Sequence, residues 1–319
     1  MRDGTAIWGT LALCVLVVLS LFVGVIDLTP ADLFTDPEAF GLLFTSRFPR
    51  TAATLITGAS LAISGAIMQL MVRNRFVEPM TVGTGQGAAL GILFCLLVLP
   101  TAPLIVQMGV AALTALLSSF VFLTIVRQLP PQQPLLVPLV GLIYGGILTA
   151  ALVFFAYQAD LLQYIEIWMT GEFSGVLAGR YELLWIAAIV ALATYFIADQ
   201  FAIVGLGRTI SINLGLRYEQ IVLLGLAAIS IVVALTVVTV GTIPFIGLVV
   251  PNIISRLKGD NLRQTLPLIA LFGAGMVLAC DILGRLIRYP FEIPVGTVFG
   301  VLGTLIFLRL LYVEPNRGR

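Results

Sequence analysis

The sequence predicts an all-α polytopic membrane protein with about ten transmembrane helices. Hydrophobic residues make up 60% of the 319 residues, charged residues make up only 10%, and the mean hydropathy is +1.10. A water-soluble domain of this length could not bury so much apolar surface in one core. Apolar runs of about 20 residues, the length that a helix needs to cross the hydrocarbon layer, recur along the chain. We therefore expect one membrane-spanning domain over residues 1–319.

Ten apolar segments follow one another along the chain. The first follows Arg2 and has no clear small-residue cleavage site, so we interpret it as a retained span rather than a signal peptide. The eighth is too short for a simple crossing and contains Pro244, Gly247 and Pro251, which predicts a broken or half-length helix. In order, the segments are Ala6–Ile26, Thr51–Met71, Thr81–Leu99, Leu104–Val126, Leu135–Tyr157, Leu183–Ala198, Ile221–Val240, Ile243–Ser255, Leu266–Leu286 and Pro294–Tyr312.

The basic residues predict the orientation of these segments, because cytoplasmic connections are enriched in Lys and Arg. If all ten segments cross and the N-terminus is cytoplasmic, twelve of the 17 basic residues lie inside and five lie outside. We therefore expect both termini on the cytoplasmic side. The five outside residues are Arg47, Arg50, Arg180, Arg285 and Arg288.

Two connections are long enough to hold structure of their own. The outer connection, Asp160–Arg180, contains aromatic residues and is typical of a helix lying in the membrane interface. The inner connection, Asp199–Gln220, contains a stretch, Arg208–Arg217, that predicts a short helix ended by Gly215. We interpret the inner connection as a binding surface for a soluble partner.

Small residues recur at four-residue spacing in three segments, which predicts smooth helix faces. Close helix packing is the favoured interpretation of these faces, and the lining of a substrate path is the alternative. The three sets are Gly58–Ala62–Ala66, Gly83–Gly87–Gly91 and Gly141–Gly145.

The composition excludes several kinds of protein. There is no histidine for a Ser-His-Asp triad, a haem ligand or a zinc motif, and the single lysine, Lys258, is not part of a Walker A loop. A net charge of +1 gives no reason to expect nucleic-acid binding. Cys14, Cys95 and Cys280 follow no metal spacing, so packing is their expected role. We expect neither a bound cofactor nor an enzyme active site.

The acidic residues argue against a carrier driven by an ion gradient, because such carriers usually need ionisable groups at mid-depth. No carboxylate is expected in the middle of a span. Six acidic residues beside the later segments all lie near membrane boundaries or in connections. They are Glu166, Glu172, Glu182, Asp199, Asp281 and Glu292.

Stretches spread over nearly the whole chain resemble the FecCD-type permeases of ABC importers, which carry ferric siderophores or vitamin B12. The form of one stretch, Arg73–Pro79, together with Gly24–Pro30, is similar to the subgroup that serves catechol-type siderophores. The chain has Asn74-Arg-Phe-Val, Pro251-Asn252 and Asp260-Asn-Leu-Arg263 where the family usually has Asn-Pro-Leu-Ala, Pro-His and Asp-His-Arg. The stretches that carry the resemblance are Arg47–Arg50, Thr57–Gln69, Arg73–Pro79, Gly241–Pro251, Lys258–Arg263, Asp281–Arg285 and Glu292–Gly296.

The resemblance implies a permease subunit in the lipid bilayer of the bacterial inner membrane. It implies a second permease, either identical or paralogous, two cytoplasmic ATPase subunits that hydrolyse ATP, and an extracytoplasmic binding protein that delivers the substrate. Ferric siderophore is the expected substrate, and cobalamin or haem is the alternative. An ion-coupled secondary carrier is the alternative from another class.

The resemblance also implies three functional regions. Arg47, Arg50 and Arg285 are expected on an exposed outer rim, where they dock acidic residues of the binding protein through modest, salt-sensitive pairs. A cytoplasmic gate is expected at Pro134 and Leu135, between spans four and five. The contacts to the ATPase are expected from Thr209, Ile212, Asn213, Leu214, Gly215 and Leu216.

Overall fold

The computed structural model describes residues 3–24, 37–129, 136–179 and 181–312, and every regular element in these ranges is helical. The predicted all-α class is therefore confirmed. A π-helical turn, Leu43–Arg47, joins α2 to α3. The helices are α1 (Asp3–Phe22), α2 (Pro37–Leu42), α3 (Phe48–Val72), α4 (Thr84–Val98), α5 (Leu104–Val126), α6 (Leu136–Gln158), α7 (Leu162–Trp168), α8 (Leu184–Phe196), α9 (Ala198–Gly205), α10 (Arg208–Asn213), α11 (Tyr218–Val240), α12 (Ile246–Lys258), α13 (Leu262–Ile287) and α14 (Val295–Tyr312).

Each of the ten predicted segments coincides with one of these helices. Six described helices are long and apolar enough to cross a membrane, and α8 with α9 forms a seventh candidate that is bent by 67°. Two further apolar helices, Thr84–Val98 and Val295–Leu310, are shorter. The multi-pass class is therefore established, whereas ten complete crossings remain a prediction.

The half-length helix predicted near Pro251 is α12. Its 13 residues rise only about 20 Å, and the backbone before it, residues 241–245, is not helical. Phe245 precedes the helix in the left-handed conformation, with φ of 69°. Before the helix, Thr242 Oγ1 donates to Met169 O (2.6 Å), and within it Asn252 Nδ2 donates to Arg75 O (2.8 Å).

The helix α3, most of whose residues are buried, lies at the centre of the bundle. It contacts α13 at Gly58, where an added Cβ would overlap the carbonyl oxygen of Gly273. It contacts α12 at Gly65, where an added Cβ would overlap the backbone of Gly247. The glycine spacing therefore serves close backbone contact between helices, as the favoured interpretation predicts.

The second glycine set, on α4, packs against α5. An added Cβ at Gly87 would lie 2.6 Å from Ser118 Cβ, and one at Gly91 would overlap the Thr114 hydroxyl. In this tight interface Ser118 Oγ donates to Gly83 O (2.7 Å), and the hydroxyls of Thr84 and Ser119 share a hydrogen bond of 2.7 Å.

The bundle has two charged ends, which we name the Arg50 end and the Arg75 end. They are separated by α3, whose 25 residues span about 37 Å. The described basic residues sort between these ends as the charge count predicts. Arg47, Arg50, Arg285 and Arg288 lie at the Arg50 end, and Arg73, Arg75, Arg127, Arg208, Arg256 and Arg263 lie at the Arg75 end.

Candidate functional sites at the two ends of the bundle

At the Arg50 end, one guanidinium group binds two carboxylates from distant parts of the chain. Arg50 Nε and Nη2 donate to Asp281 Oδ1 at 3.1 and 2.7 Å. Arg50 Nη1 donates to Glu292 Oε1 at 3.0 Å. The proline of Arg47-Phe-Pro-Arg50 lies in the first turn of α3, so this arginine is held at the start of a helix.

A second arginine shares the same aspartate. Arg285 Nη2 donates to Asp281 Oδ2, one helical turn away on α13. Its remaining donors reach α1 and the residues just after it, where Nη2 bonds Ser20 Oγ (2.8 Å) and Nη1 bonds Ser20 O (2.9 Å) and Val23 O (2.7 Å). Arg47 Nη1 also donates to Val23 O.

We name these five charged residues, Arg47, Arg50, Arg285, Asp281 and Glu292, the outer charge cluster. The side chain of Asp281 has no exposed surface, and that of Arg50 is 12% exposed. Arg47 and Arg285 are buried as well. The expectation of an exposed, salt-sensitive rim is therefore wrong for the three arginines, because their donors bind groups of the same chain.

The outer charge cluster contains three guanidinium groups and two carboxylates. The exposed carboxylate of Glu182 lies in the connection at the same end of the bundle. Arg288 adds an exposed cation that lies 5.7 Å from the centre of the Phe291 ring. The sequence placed Asp281 and Glu292 near this end but did not indicate that they pair with the arginines.

At the Arg75 end, the predicted short helix in the inner connection is confirmed as α10. Its end is a Schellman motif in which Gly215 N donates to Ile212 O (2.9 Å) and Leu216 N donates to Ser211 O (3.0 Å). Gly215 has φ of 82°, a conformation that glycine adopts without strain. Ser211 fixes the helix to α9, because its hydroxyl donates to Ile203 O (3.0 Å).

The outward face of α10 exposes apolar side chains. Ile212 and Leu214 are 47% and 60% exposed, and Leu206 and Ile210, which the sequence reasoning missed, are exposed to a similar degree. Of the other predicted contact residues, Thr209, Asn213 and Gly215 are exposed and Leu216 is half-buried. Exposed apolar side chains beside charged groups are typical of a surface that a partner covers.

Charged pairs surround α10. Glu219 accepts hydrogen bonds from Arg127 Nη2 (3.0 Å) and from Arg208 Nε (3.3 Å). Arg208 begins α10, and Arg127 directly follows α5. All three side chains are substantially exposed, so each pair contributes little to stability. The gate residues themselves, Pro134 and Leu135, lie outside the described residues.

One carboxylate is buried inside the bundle. Glu78, between α3 and α4, is fully buried, and its Oε1 accepts a hydrogen bond from Phe245 N (2.7 Å), just before α12. It lies near Gly247, which packs against Gly65, about 10 Å inward from the end of α3. Glu78 was not among the acidic residues that the sequence reasoning considered, and whether it lies at mid-depth of a span stays untested.

Two observations concern metal ligands and cysteines in the described part of the chain. Within residues 3–24, 37–129, 136–179 and 181–312, no three His, Cys, Asp or Glu side chains are grouped so that they could hold an ion. Cys95 and Cys280 are buried among apolar residues and form no disulfide.

The long apolar helices define a multi-pass helical membrane protein. The model of the FecCD transport family matches residues 12–313, and the chain belongs to that family.

Two curated relatives are similar over almost their full length. The petrobactin import system permease protein YclN of Bacillus subtilis is 44% identical over 94% of this chain and 95% of that protein. The ferric-anguibactin transport system permease protein FatD of Vibrio anguillarum is 40% identical over 94% of this chain and 96% of that protein. Both relatives are permease proteins rather than enzymes.

A solved structure has the same fold. It is an inward-facing conformation of an ABC transporter assigned to the metal-chelate type, with a TM-score of 0.83 and 25% identity over 97% of this chain and 99% of that chain.

Proposed function

We propose that this chain is the membrane-spanning permease subunit of an ATP-driven ABC importer that moves a ferric siderophore across the bacterial inner membrane. One observation carries the proposal: the FecCD family match extends over residues 12–313, nearly the whole chain. The names of the petrobactin and anguibactin relatives favour a ferric siderophore of the catecholate type as the substrate. Cobalamin or haem is the alternative substrate.

The subunit works with partners on both sides of the membrane. We propose ten crossings with both termini in the cytoplasm, which puts the Arg50 end outside and the Arg75 end inside. The chain pairs with a second permease, identical or paralogous, and with two ATPase subunits that hydrolyse ATP. A binding protein delivers the substrate to the Arg50 end. ATP-driven closure of the ATPase pair moves α10 and switches the access of the substrate path, with a gate near Pro134 and Leu135.

Substitution of both Ile212 and Leu214 by Asp should abolish transport by separating the permease from its ATPase. Both side chains are exposed, so the change should not disturb folding. It places two carboxylates on an apolar contact surface. These carboxylates would lose their hydration when the ATPase binds, which disfavours binding. The measurement is uptake of iron-loaded petrobactin into cells that lack this chain and carry the variant or the wild type, together with co-purification of the ATPase.

Leu177→Asp is the matched control, because Leu177 is an exposed apolar residue of the opposite end. It should retain the ATPase in the co-purification, which is the readout that it controls. Normal co-purification of the ATPase with the Ile212→Asp/Leu214→Asp variant would contradict the coupling role of α10. If deletion of this chain leaves the uptake of iron-loaded petrobactin unaffected but abolishes the uptake of cobalamin or haem, then cobalamin or haem is the substrate instead of the siderophore.

We also propose that the arginines of the outer charge cluster guide docking of an acidic surface on the binding protein. Reversal of Arg50 to Glu is unsuitable as a test, because it would place a carboxylate against Asp281. Arg47→Gln is better, because Val23 O keeps its bond from Arg285. At low salt this variant should bind the binding protein about 3- to 10-fold more weakly. The difference should narrow as salt rises.

The docking measurement uses the permease–ATPase complex in lipid nanodiscs and the purified binding protein in a surface-binding assay. Arg309→Gln is the control, because Arg309 is an exposed cation in the last turn of α14. Equal affinity of Arg47→Gln and the wild type at low salt would refute docking at the outer charge cluster.

An ion-coupled secondary carrier is the competing function, and the buried carboxylate of Glu78 is the observation that favours it. However, Glu78 already accepts a hydrogen bond from the backbone before α12, which gives it a role in helix capping. Uptake that survives deletion of the cognate ATPase would support the carrier, and loss of uptake in that deletion would exclude it.

A further inference from the structure

We infer that Glu292 is the exchangeable partner of Arg50, and that an acidic group of the binding protein replaces it when the two proteins dock. Glu292 thereby sets the affinity of the docking site, because the incoming acid must compete with it. This inference deepens the docking proposal above and rests on it.

The two carboxylates that bind Arg50 are held very differently. Asp281 accepts two hydrogen bonds from Arg50, is shared with Arg285, and has no exposed side-chain surface. Glu292 binds Arg50 through Nη1 alone, and 21% of its side chain is exposed. It lies in the connection between α13 and α14 rather than on a helix. Glu292 is therefore the carboxylate that solvent and a partner can reach.

Glu292 is also incompletely paired. Its Oε2 lies 2.9 Å from Arg50 Nη1 but is buried without a well-formed hydrogen bond to any described residue. A buried carboxylate oxygen without a hydrogen bond destabilises the pair that contains it. A carboxylate that approaches from outside with better geometry could form the same bond to Arg50 without this penalty.

Exchange at Glu292 avoids the main penalty of opening a buried ion cluster. If Arg50 released Asp281, Arg285 would lose part of its pairing too, and buried charge would be left uncompensated. If Arg50 exchanges Glu292 for another carboxylate, its own charge stays neutralised, and Glu292 moves from a partly exposed position into water.

The test is the affinity of the binding protein for Glu292→Gln in the same nanodisc assay at low salt. The glutamine keeps the shape of the side chain and removes the competing charge. We expect about 3- to 10-fold tighter binding. Glu182→Gln is the matched control, because Glu182 is an exposed carboxylate that accepts from Gly179 N (2.6 Å) in the outer connection. It should change the affinity by less than about twofold.

The variants separate failure of this inference from failure of the docking proposal. Weaker binding by Arg47→Gln, with unchanged or weaker binding by a folded Glu292→Gln, would overturn the role of Glu292 and leave docking intact. Unchanged binding by Arg47→Gln would overturn both. If Glu292→Gln does not fold, Glu292→Asp serves instead, because its shorter side chain reaches Arg50 less well. It should also bind the binding protein more tightly than the wild type, and unchanged affinity would again reject the inference.

Discussion

Asp281→Asn is expected to lower the free energy of unfolding by about 3–5 kcal/mol, because it removes the carboxylate that two buried arginines share. Arg50 would keep only Glu292, and Arg285 would keep only hydroxyl and carbonyl partners. Three guanidinium groups would then face one carboxylate in a buried cluster. Because this cluster joins α1, α3 and α13, we expect loss of the folded permease rather than a local defect.

The measurement is reversible unfolding in mixed detergent micelles, followed by the loss of helical circular dichroism. Asp260→Asn is the control, because Asp260 pairs with Arg75 at 2.6 Å where both side chains are mostly exposed. That pair should contribute less than about 1 kcal/mol. If Asp281→Asn unfolds as the control does, the outer charge cluster is not a stabilising unit. The double variant Asp281→Leu/Arg285→Leu should recover part of the loss, because it removes one buried arginine together with its partner.

Gly65→Ala is expected to lower the free energy of unfolding of the bundle by about 1–3 kcal/mol, although it adds only a single methyl group. The added Cβ would overlap the backbone of Gly247, and backbone atoms cannot move aside as the tip of a side chain can. Separation of α3 from α12 would also break the hydrogen bond from Gln69 Nε2 to Gly247 O (3.1 Å). The substitution therefore acts on the contact that holds the half-length helix.

The same unfolding measurement checks this result, with transport as a second readout. Gly146→Ala is the matched control, because Gly146 lies within α6 and an added Cβ there meets no atom within 4 Å. Alanine favours the helix over glycine by about 1 kcal/mol, so the control should be neutral or slightly stabilising. Equal stability of the two variants would show that α3 and α12 can separate without penalty.

Local patterns in the sequence predicted most of the architecture. The lengths of the apolar runs located all ten segments, because a span is set by the thickness of hydrocarbon rather than by particular contacts. Proline and glycine near Pro251 predicted the half-length helix, and Gly215 predicted the end of α10. The distribution of Lys and Arg separated the two ends of the bundle, because it depends on each connection alone.

The candidate sites were predicted less completely, because they depend on residues that meet from distant parts of the chain. Arg50 and Asp281 are 231 positions apart, and no local pattern shows that they form a pair. The expected exposure of Arg50 was wrong for that reason. In the sequence, Glu78 belongs to a polar connection between two apolar segments. Only the fold brings its carboxylate to Phe245 N, before α12 and 167 positions away.

The sequence by itself determined the class of protein, the positions of its helices and the sorting of its charges, because hydropathy and charge act through the solvent on each segment separately. Only the tertiary structure decided which charges are buried and which carboxylate each arginine binds. These properties depend on the distances between side chains of α1, α3, α13 and the connection that follows α13. Ion pairing in a buried site changes the free energy steeply with such distances, whereas helix formation in a membrane does not depend on them.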